Sequence, residues 1–213
     1  MKSTQKFEIK TTDGNVLFSC ESDSLAHAVE LAVKNHTDLC GADLSKANLR
    51  EADLCKAVLG GADLREADLR EANLCGADLC GANLREAGLR KADLCKAVLG
   101  GADLCGADLC GAKLYGANLR GTNLSEADLH GAELYGANLR GANLDFACWP
   151  LWCGSFGARV DAKIVCQLAY HFCKLDCDDP ECKQAQAALA TLANKFHRVA
   201  ECGKIKIDNG GQS

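Results

Sequence analysis

Leucine stands at every fifth position from Leu39 to Leu144, twenty-two times without exception. The residue two before it is alanine in all but two pentads, where Thr37 and Thr122 stand, and the residue just before it is usually Asp or Asn. An α-helix advances ~100° per residue, so leucines five apart would wander around its surface and leave no apolar face. A strand alternates with period two, and five is odd, so successive leucines would switch sides of a sheet. A chain that turns a corner once per pentad can bury the pattern. In Ala62-Asp63-Leu64-Arg65-Glu66, alanine and leucine share the inner side of a short extended piece, and the other three residues face out. Alanine suits a tight bore. Glycine fills the last pentad position in 12 of 22 cases, where a turn with positive φ is expected.

The length of one lap follows from side chains that would stack on one another. Cys55, Cys75 and Cys95 lie 20 residues apart and are continued by Tyr115 and Tyr135; Arg50, Arg70 and Arg90 form a second column. The stretch Ala52–Leu64 recurs identically as Ala92–Leu104, a shift of 40. Four pentads per lap satisfy all three observations. The expectation is a four-sided β-solenoid of about five and a half coils, 20 residues per coil, roughly 26 Å long at ~4.8 Å per coil. Its core is the leucine tiers, Leu44, Leu64, Leu84, Leu104, Leu124 and Leu144 on one side, with equivalent rows on the others.

The motif A-[DN]-L-x-x, as in Ala67-Asp68-Leu69-Arg70-Glu71, resembles that of the pentapeptide repeat family over residues 37–146. The resemblance implies a right-handed quadrilateral parallel β-helix and a non-enzymatic scaffold. Some members of that family resemble B-form DNA in shape and charge and bind DNA gyrase or its relatives. A type II topoisomerase is therefore the alternative partner that the resemblance implies.

Solenoid ends expose unpaired backbone, so caps are expected. Phe7, Ile9, Val16 and Phe18 flank Asp13-Gly14-Asn15, a hairpin signal. Leu25, Ala28, Val29, Ala32 and Val33 have helical spacing, with Asp23 or Ser24 as N-cap. After Phe146, Trp149, Leu151 and Trp152 form an expected plug. Ile164, Leu168, Phe172 and Leu175 mark one helix; Asp179-Pro180 opens another, carrying Ala185, Leu189, Leu192, Phe196 and Val199. The organisation expected is a small α/β N-terminal cap (1–36), the repeat (37–146), an α-helical C-terminal cap (147–203) and a loose tail (204–213).

Composition changes this picture little. The 213 residues carry a net charge of −5 and no apolar run long enough to span a bilayer, so neither a membrane nor direct nucleic-acid binding is expected. Met1-Lys2-Ser3-Thr4 leads into a polar strand rather than a signal peptide, so a cytoplasmic location with the 15 cysteines reduced is expected. Seven of those cysteines occupy outward pentad positions that Arg, Ser and Gly also use, so the fold does not need them. No catalytic constellation emerges. The aspartates repeat rather than converge, and they read as solvated turn residues. His130 stands in the arginine column and reads as a surface residue. His171, Cys173, Cys177 and Cys182 offer four soft ligands in twelve residues, a set able to hold zinc. Their spacing departs from that of the common zinc modules, and ordinary thiols are the expectation, with no cofactor.

The 20-residue register sorts outward charge by side. Asp43, Asp63, Glu66, Glu86, Asp103, Glu126 and Asp145 make one side acidic, net −4 after Lys46, Arg65 and Arg85. The arginine-column side nets −1, and the remaining two net zero. DNA mimicry needs dense negative rows, since duplex DNA carries about one charge per 1.7 Å. One side of this solenoid offers a weak version. The leading reading is a scaffold binding an unidentified protein partner, through Tyr115 and Tyr135 as aromatic anchors or through the smooth side with Val58 and Val98.

Overall fold

A computed structural model describes residues 4–148, 158–173 and 180–195. The chain divides into two compact units, one up to Arg159 and one from Val160 onward.

In the first unit, leucine and alanine of the pentads point inward. Leu64, Leu84, Leu104 and Leu124 are fully enclosed, and Leu44 and Leu144 retain only 2% and 4% exposure. Parallel bridges join each residue that precedes a leucine to its equivalent 20 residues on, as in Asp43 to Asp63 and Asp63 to Asn83. The lap is therefore four pentads. Only one residue per pentad enters a bridge, so the sides are single rungs rather than continuous strands. The reason lies at the corners. The last residue of all twenty-two pentads has φ between 57° and 74°, glycine or not; Lys46, Glu51, Glu66 and Lys96 all adopt it. The expectation that this state falls to glycine was too narrow. Outward corners leave a Cβ in solvent, and the long stems of Lys and Glu tolerate a conformation that bulky or β-branched residues avoid.

One pentad accounts for the backbone. The Ala62 amide donates to Leu59 O across the corner at 3.1 Å, Asp63 to Ala42 O on the preceding lap at 2.8 Å, Leu64 to Asn83 O on the next lap at 2.7 Å, and Glu66 to Arg85 O at 2.9 Å. The fifth amide, that of Arg65, has no backbone acceptor. It donates to Oδ1 of Asp63 at 3.1 Å. The same side-chain bond closes every pentad that carries Asp or Asn before its leucine. These residues act in the turns, as expected of them: each supplies an acceptor that the bent backbone lacks. Thr122, one of the two departures from alanine, is fully buried and donates its hydroxyl to Leu99 O at 3.2 Å.

Strands β1 (Gln5–Lys10) and β2 (Val16–Ser22) pair antiparallel, and helix α1 (Leu25–Lys34) follows. Ser24 caps α1, its hydroxyl accepting from the His27 amide at 3.2 Å. Ala28, Val29 and Ala32 are the buried stripe of α1. Two amides of the first lap find partners here where no preceding lap exists. The Asp43 amide donates to Lys10 O at 2.7 Å, and the Asp53 amide donates to Oε1 of Glu30 at 2.9 Å. At the other end the ladder outlasts the sequence repeat: Cys148 bridges Asp128, and Arg159 bridges Asn138.

The second unit contains α2 (Ala162–Cys173) and α3 (Pro180–Ala193). Ala169 and Tyr170 of α2 bury against Ala193 of α3, with Cys173 and Leu192 alongside. Ala185 is exposed, a departure from the apolar stripe expected of it, because the buried line of α3 runs through Ala190 and Ala193 instead. Trp149, Leu151, Trp152, Leu175, Asp179, Phe196, Val199 and the segment 204–213 lie outside the described residues, as does the side chain of Phe172.

The amide account predicts a sharp contrast at Asp108, whose Oδ1 accepts from the Cys110 amide at 3.0 Å. Asp108→Ala is expected to cost about 1 kcal/mol, while Asp108→Asn, which keeps the acceptor, costs a small fraction of that. Leu84→Ala opens a cavity in the bore and is expected to cost about 2–5 kcal/mol. Urea unfolding midpoints of the three variants measure both effects.

Candidate interaction face

One side of the solenoid collects the features that bear on binding. Its ladder runs Asp53, Asn73, Asp93, Lys113, Glu133. The outward residues that follow the leucines on this side are Cys55, Cys75, Cys95, Tyr115 and Tyr135. The two tyrosines occupy consecutive laps, tied by the Gly116 amide donating to Tyr135 O at 2.9 Å, and stand 41% and 54% exposed. The Glu133 carboxylate beside Tyr115 pushes its phenol pKa up. The tyrosines are displayed on a backbone bonded lap to lap.

Val58 and Val98 do not form one patch. Asp78 lies between them on the ladder, and Val98 is half-buried where Val58 is 40% exposed. Thiols fill the space beside the glycines of this column: a Cβ at Gly60 would meet the Sγ of Cys40 at 3.3 Å.

The acidic side is partly neutralised within itself. Arg65 clasps Asp63 at 2.5 Å, Arg85 reaches Asp103 at 3.3 Å, and Lys46 reaches Glu66 at 3.5 Å. The Arg65 guanidinium holds the Asp63 carboxyl below its ordinary range. Glu86 and Glu126 stand exposed on the same side; Asp43 accepts from the Ser45 hydroxyl, and Asp145 closes the row. Two members of the arginine column are likewise engaged, Arg50 with Glu51 and Glu71 and Arg70 with Asp68.

A feature invisible in the sequence lies at the start of the tyrosine side. Helix α1 and the first laps enclose a cleft of about 680 Å³. The helix contributes His27, Glu30, Leu31 and Lys34, spaced i, i+3, i+4 and i+7 on one face; the laps contribute Asp53, Cys55, Lys56 and Val58. Read from sequence, that helix face is simply the polar side opposite the buried stripe. The only signal was Glu30 within it, and nothing told that a ladder amide would claim its carboxylate.

Twelve described cysteines are free. Burial, reinforced by Asp93, pushes the Cys95 thiol up to about 11, and Cys40, Cys80, Cys148 and Cys173 are also raised. Raised thiols are poor nucleophiles at neutral pH. Of the zinc-ligand set, Cys173 donates to Gln186 O at 3.3 Å and Cys182 is half-buried on α3; Cys177 and the side chain of His171 lie outside the described residues. Among the described residues no cluster of three or more His, Cys, Asp or Glu is arranged to hold a metal, and no helix is long and apolar enough to cross a membrane.

The sequence model of the family described as Pentapeptide repeats matches in eight copies, over residues 35–70, 62–101, 87–125 and 111–145. Among solved structures, the pentapeptide repeat protein Rfr23 from the cyanobacterium Cyanothece 51142 is 37% identical over 50% of this chain and 63% of its own, with a TM-score of 0.25. The chain thus spans less than two thirds of that protein. The pentapeptide repeat protein alr5209 from Nostoc is 30% identical over 65% of this chain and 96% of its own, with a TM-score of 0.29. QnrB1, a plasmid-mediated fluoroquinolone resistance protein, is 21% identical over 62% of this chain and 71% of its own, with a TM-score of 0.35. No curated protein matches the sequence.

The Cys95 environment yields a direct measurement. Its alkylation is expected to stay slow through neutral pH and to accelerate only as the pH approaches about 11. Asp93→Asn retains the acceptor for the Cys95 amide but removes the charge, lowers the thiol pKa, and should raise the rate at pH 8–9 several-fold. Peptide-resolved labelling reads both.

Proposed function

The chain belongs to the pentapeptide repeat family, and from that premise we propose that it is a non-enzymatic scaffold binding another protein through the tyrosine side of its solenoid. Family members fold as right-handed quadrilateral β-helices, and we read this repeat as about five and a half such coils, closed at its start by the hairpin–helix segment. The observation that carries the reading is the pair Tyr115 and Tyr135, 41% and 54% exposed on adjacent laps. Tyrosine gives large contact area for little conformational entropy and concentrates binding energy at interfaces. The leucine bore supports it physically, because a backbone fixed on every lap presents both rings without a backbone ordering cost. Val58, beside the cleft, is a second contact in this proposal; Val98 stands apart from it. Free thiols suit a reducing compartment, and a cytoplasmic location is part of the same proposal.

The competing reading, a duplex-DNA mimic that engages a type II topoisomerase, draws on the acidic side. Three of its seven acids are paired with bases on that side, which breaks the row of charge a mimic requires.

Two outcomes follow. Tyr115→Ser/Tyr135→Ser is expected to fold with an unchanged thermal midpoint and to lose partners that the parent chain captures from its native lysate; an unchanged partner set contradicts the proposal. In a gyrase supercoiling assay, micromolar protein is expected neither to inhibit nor to protect from a quinolone, and either effect would favour the mimic.

A further inference from the structure

Three cysteines stand at one pentad position on three consecutive laps. Cys55, Cys75 and Cys95 each follow a leucine, and each is half-buried. Their amides donate to Asp53, Asn73 and Asp93 at 3.2, 3.1 and 3.0 Å. The amide after each donates to the carbonyl one lap on: Lys56 to Cys75 O at 3.0 Å, Gly76 to Cys95 O and Lys96 to Tyr115 O at 2.8 Å. The three backbones are thus related by the same one-lap step. In a shared rotamer their sulfurs stand one lap apart, about 4.8 Å. The neighbouring column shows how a thiol at this position leans. The Sγ of Cys40 lies 3.3 Å from where a Cβ on Gly60 would stand, and that of Cys80 lies 3.8 Å from the same point on Gly100. The thiol reaches along the column toward the residue one lap on. Burial and Asp93 are the main causes that push the Cys95 thiol up, and charge on Cys75 adds to them, as expected of neighbouring sulfurs. The other outward cysteines of the repeat, Cys40, Cys80, Cys105 and Cys110, have no cysteine 20 residues away on either side.

The spacing decides what such thiols suit. A disulfide needs its Cβ atoms about 3.5–4.5 Å apart, closer than a lap. A metal–sulfur bond is ~2.3 Å, so two sulfurs on a tetrahedral ion stand about 3.8 Å apart and two on a linear ion about 4.6 Å. The linear pair matches the lap. Three sulfurs in a row also cannot surround one ion, in keeping with the lack of a three-ligand cluster among the described residues. Linear two-thiolate coordination belongs to soft closed-shell cations, and copper(I) is the one that thiolate ligands select.

We propose that the cysteine column is a copper(I) site, one ion held linearly between Cys75 and either of its neighbours, Cys55 or Cys95. The site stands apart from the tyrosine contact and adds a second capacity to the scaffold. Binding is a proton exchange: the ion displaces the hydrogens of two thiols, forms two copper–sulfur bonds and stays in its oxidation state, leaving a complex of charge −1 and two released protons. On these laps Asp53 and Asp93 are offset by Lys56 and Lys96, so the complex sits on a locally neutral surface. Cys55 lines the cleft beside α1, which opens the column to an incoming ion. Cys75 belongs to both possible pairs and is the ligand the site requires.

Serine tests the site without endangering the fold, since Ser45 and Ser125 occupy the same pentad position. The full chain, reduced and kept free of oxygen, is loaded with copper(I) and dialysed against bathocuproine disulfonate, a copper(I) chelator. Retained copper is measured per chain, and thermal unfolding verifies that each variant is folded. Cys75→Ser breaks both pairs and is expected to retain about one equivalent less than the parent chain. Cys55→Ser and Cys95→Ser each leave one pair and are expected to match the parent. So is Cys80→Ser, whose column neighbour Cys40 is two laps away. Zinc(II), which asks for four ligands, should not distinguish Cys75→Ser from the parent. Equal copper in Cys75→Ser and the parent would overturn the proposal, as would a parent that retains none. Loss of copper from either end variant would put three thiols on the ion and contradict linear coordination. Loss from Cys80→Ser, or a zinc difference at Cys75→Ser, would likewise overturn it.

Discussion

A chain that bends once every five residues cannot satisfy its backbone with strands alone, and the structure depends on how the leftover amide is treated. Three of the five amides in a pentad bond to adjacent laps and one closes the corner. The fifth points where no carbonyl exists. An Asp or Asn two residues earlier supplies the oxygen, at 2.8–3.3 Å around the whole solenoid. Burial of leucine provides the driving force, but it does so for any compact arrangement. The amide accounting is what makes this particular bend affordable at every corner.

With backbone and bore fixed, the two residues after each leucine are nearly free. The corner itself asks only for a residue that accepts positive φ, and glycine, lysine and glutamate all serve. The position before it accommodates Cys, Arg, Ser, Tyr, His, Gly and Asp in one register. Binding character can therefore vary along a side without disturbing the fold. On the acidic side this freedom is used to cancel charge locally through Arg65, Arg85 and Lys46; on the tyrosine side it leaves two rings exposed.

The leucine tiers and the 20-residue lap were legible because burial imposes a strict period and stacked columns repeat their chemistry. The Asp and Asn positions were legible as outward turn residues; periodicity did not show that each accepts from the one amide its pentad leaves without a carbonyl. Positive φ at Lys46 or Glu66 was not legible, since non-glycine residues rarely take it and only the corner geometry requires it. Tyr115 and Tyr135 could be placed on one side from spacing alone. The cleft could not, because the polar face of α1 looks the same whether it meets water or the side of a coil. Burial of Tyr170 rather than Ala185 in the helical unit depends on how α2 and α3 pack, which helical spacing alone leaves open.

Amide hydrogen exchange on the intact chain tests the central claim most directly. Within one column, Cys40 and Cys80 follow aspartates and donate to them, whereas Gly60 and Gly100 follow valines and find no protein acceptor among the described residues. The account predicts that the Cys40 and Cys80 amides exchange markedly more slowly than those of Gly60 and Gly100, while the Leu59, Leu79 and Leu99 amides, bonded to the next lap, are protected throughout. Equal exchange at the cysteines and the glycines would contradict it.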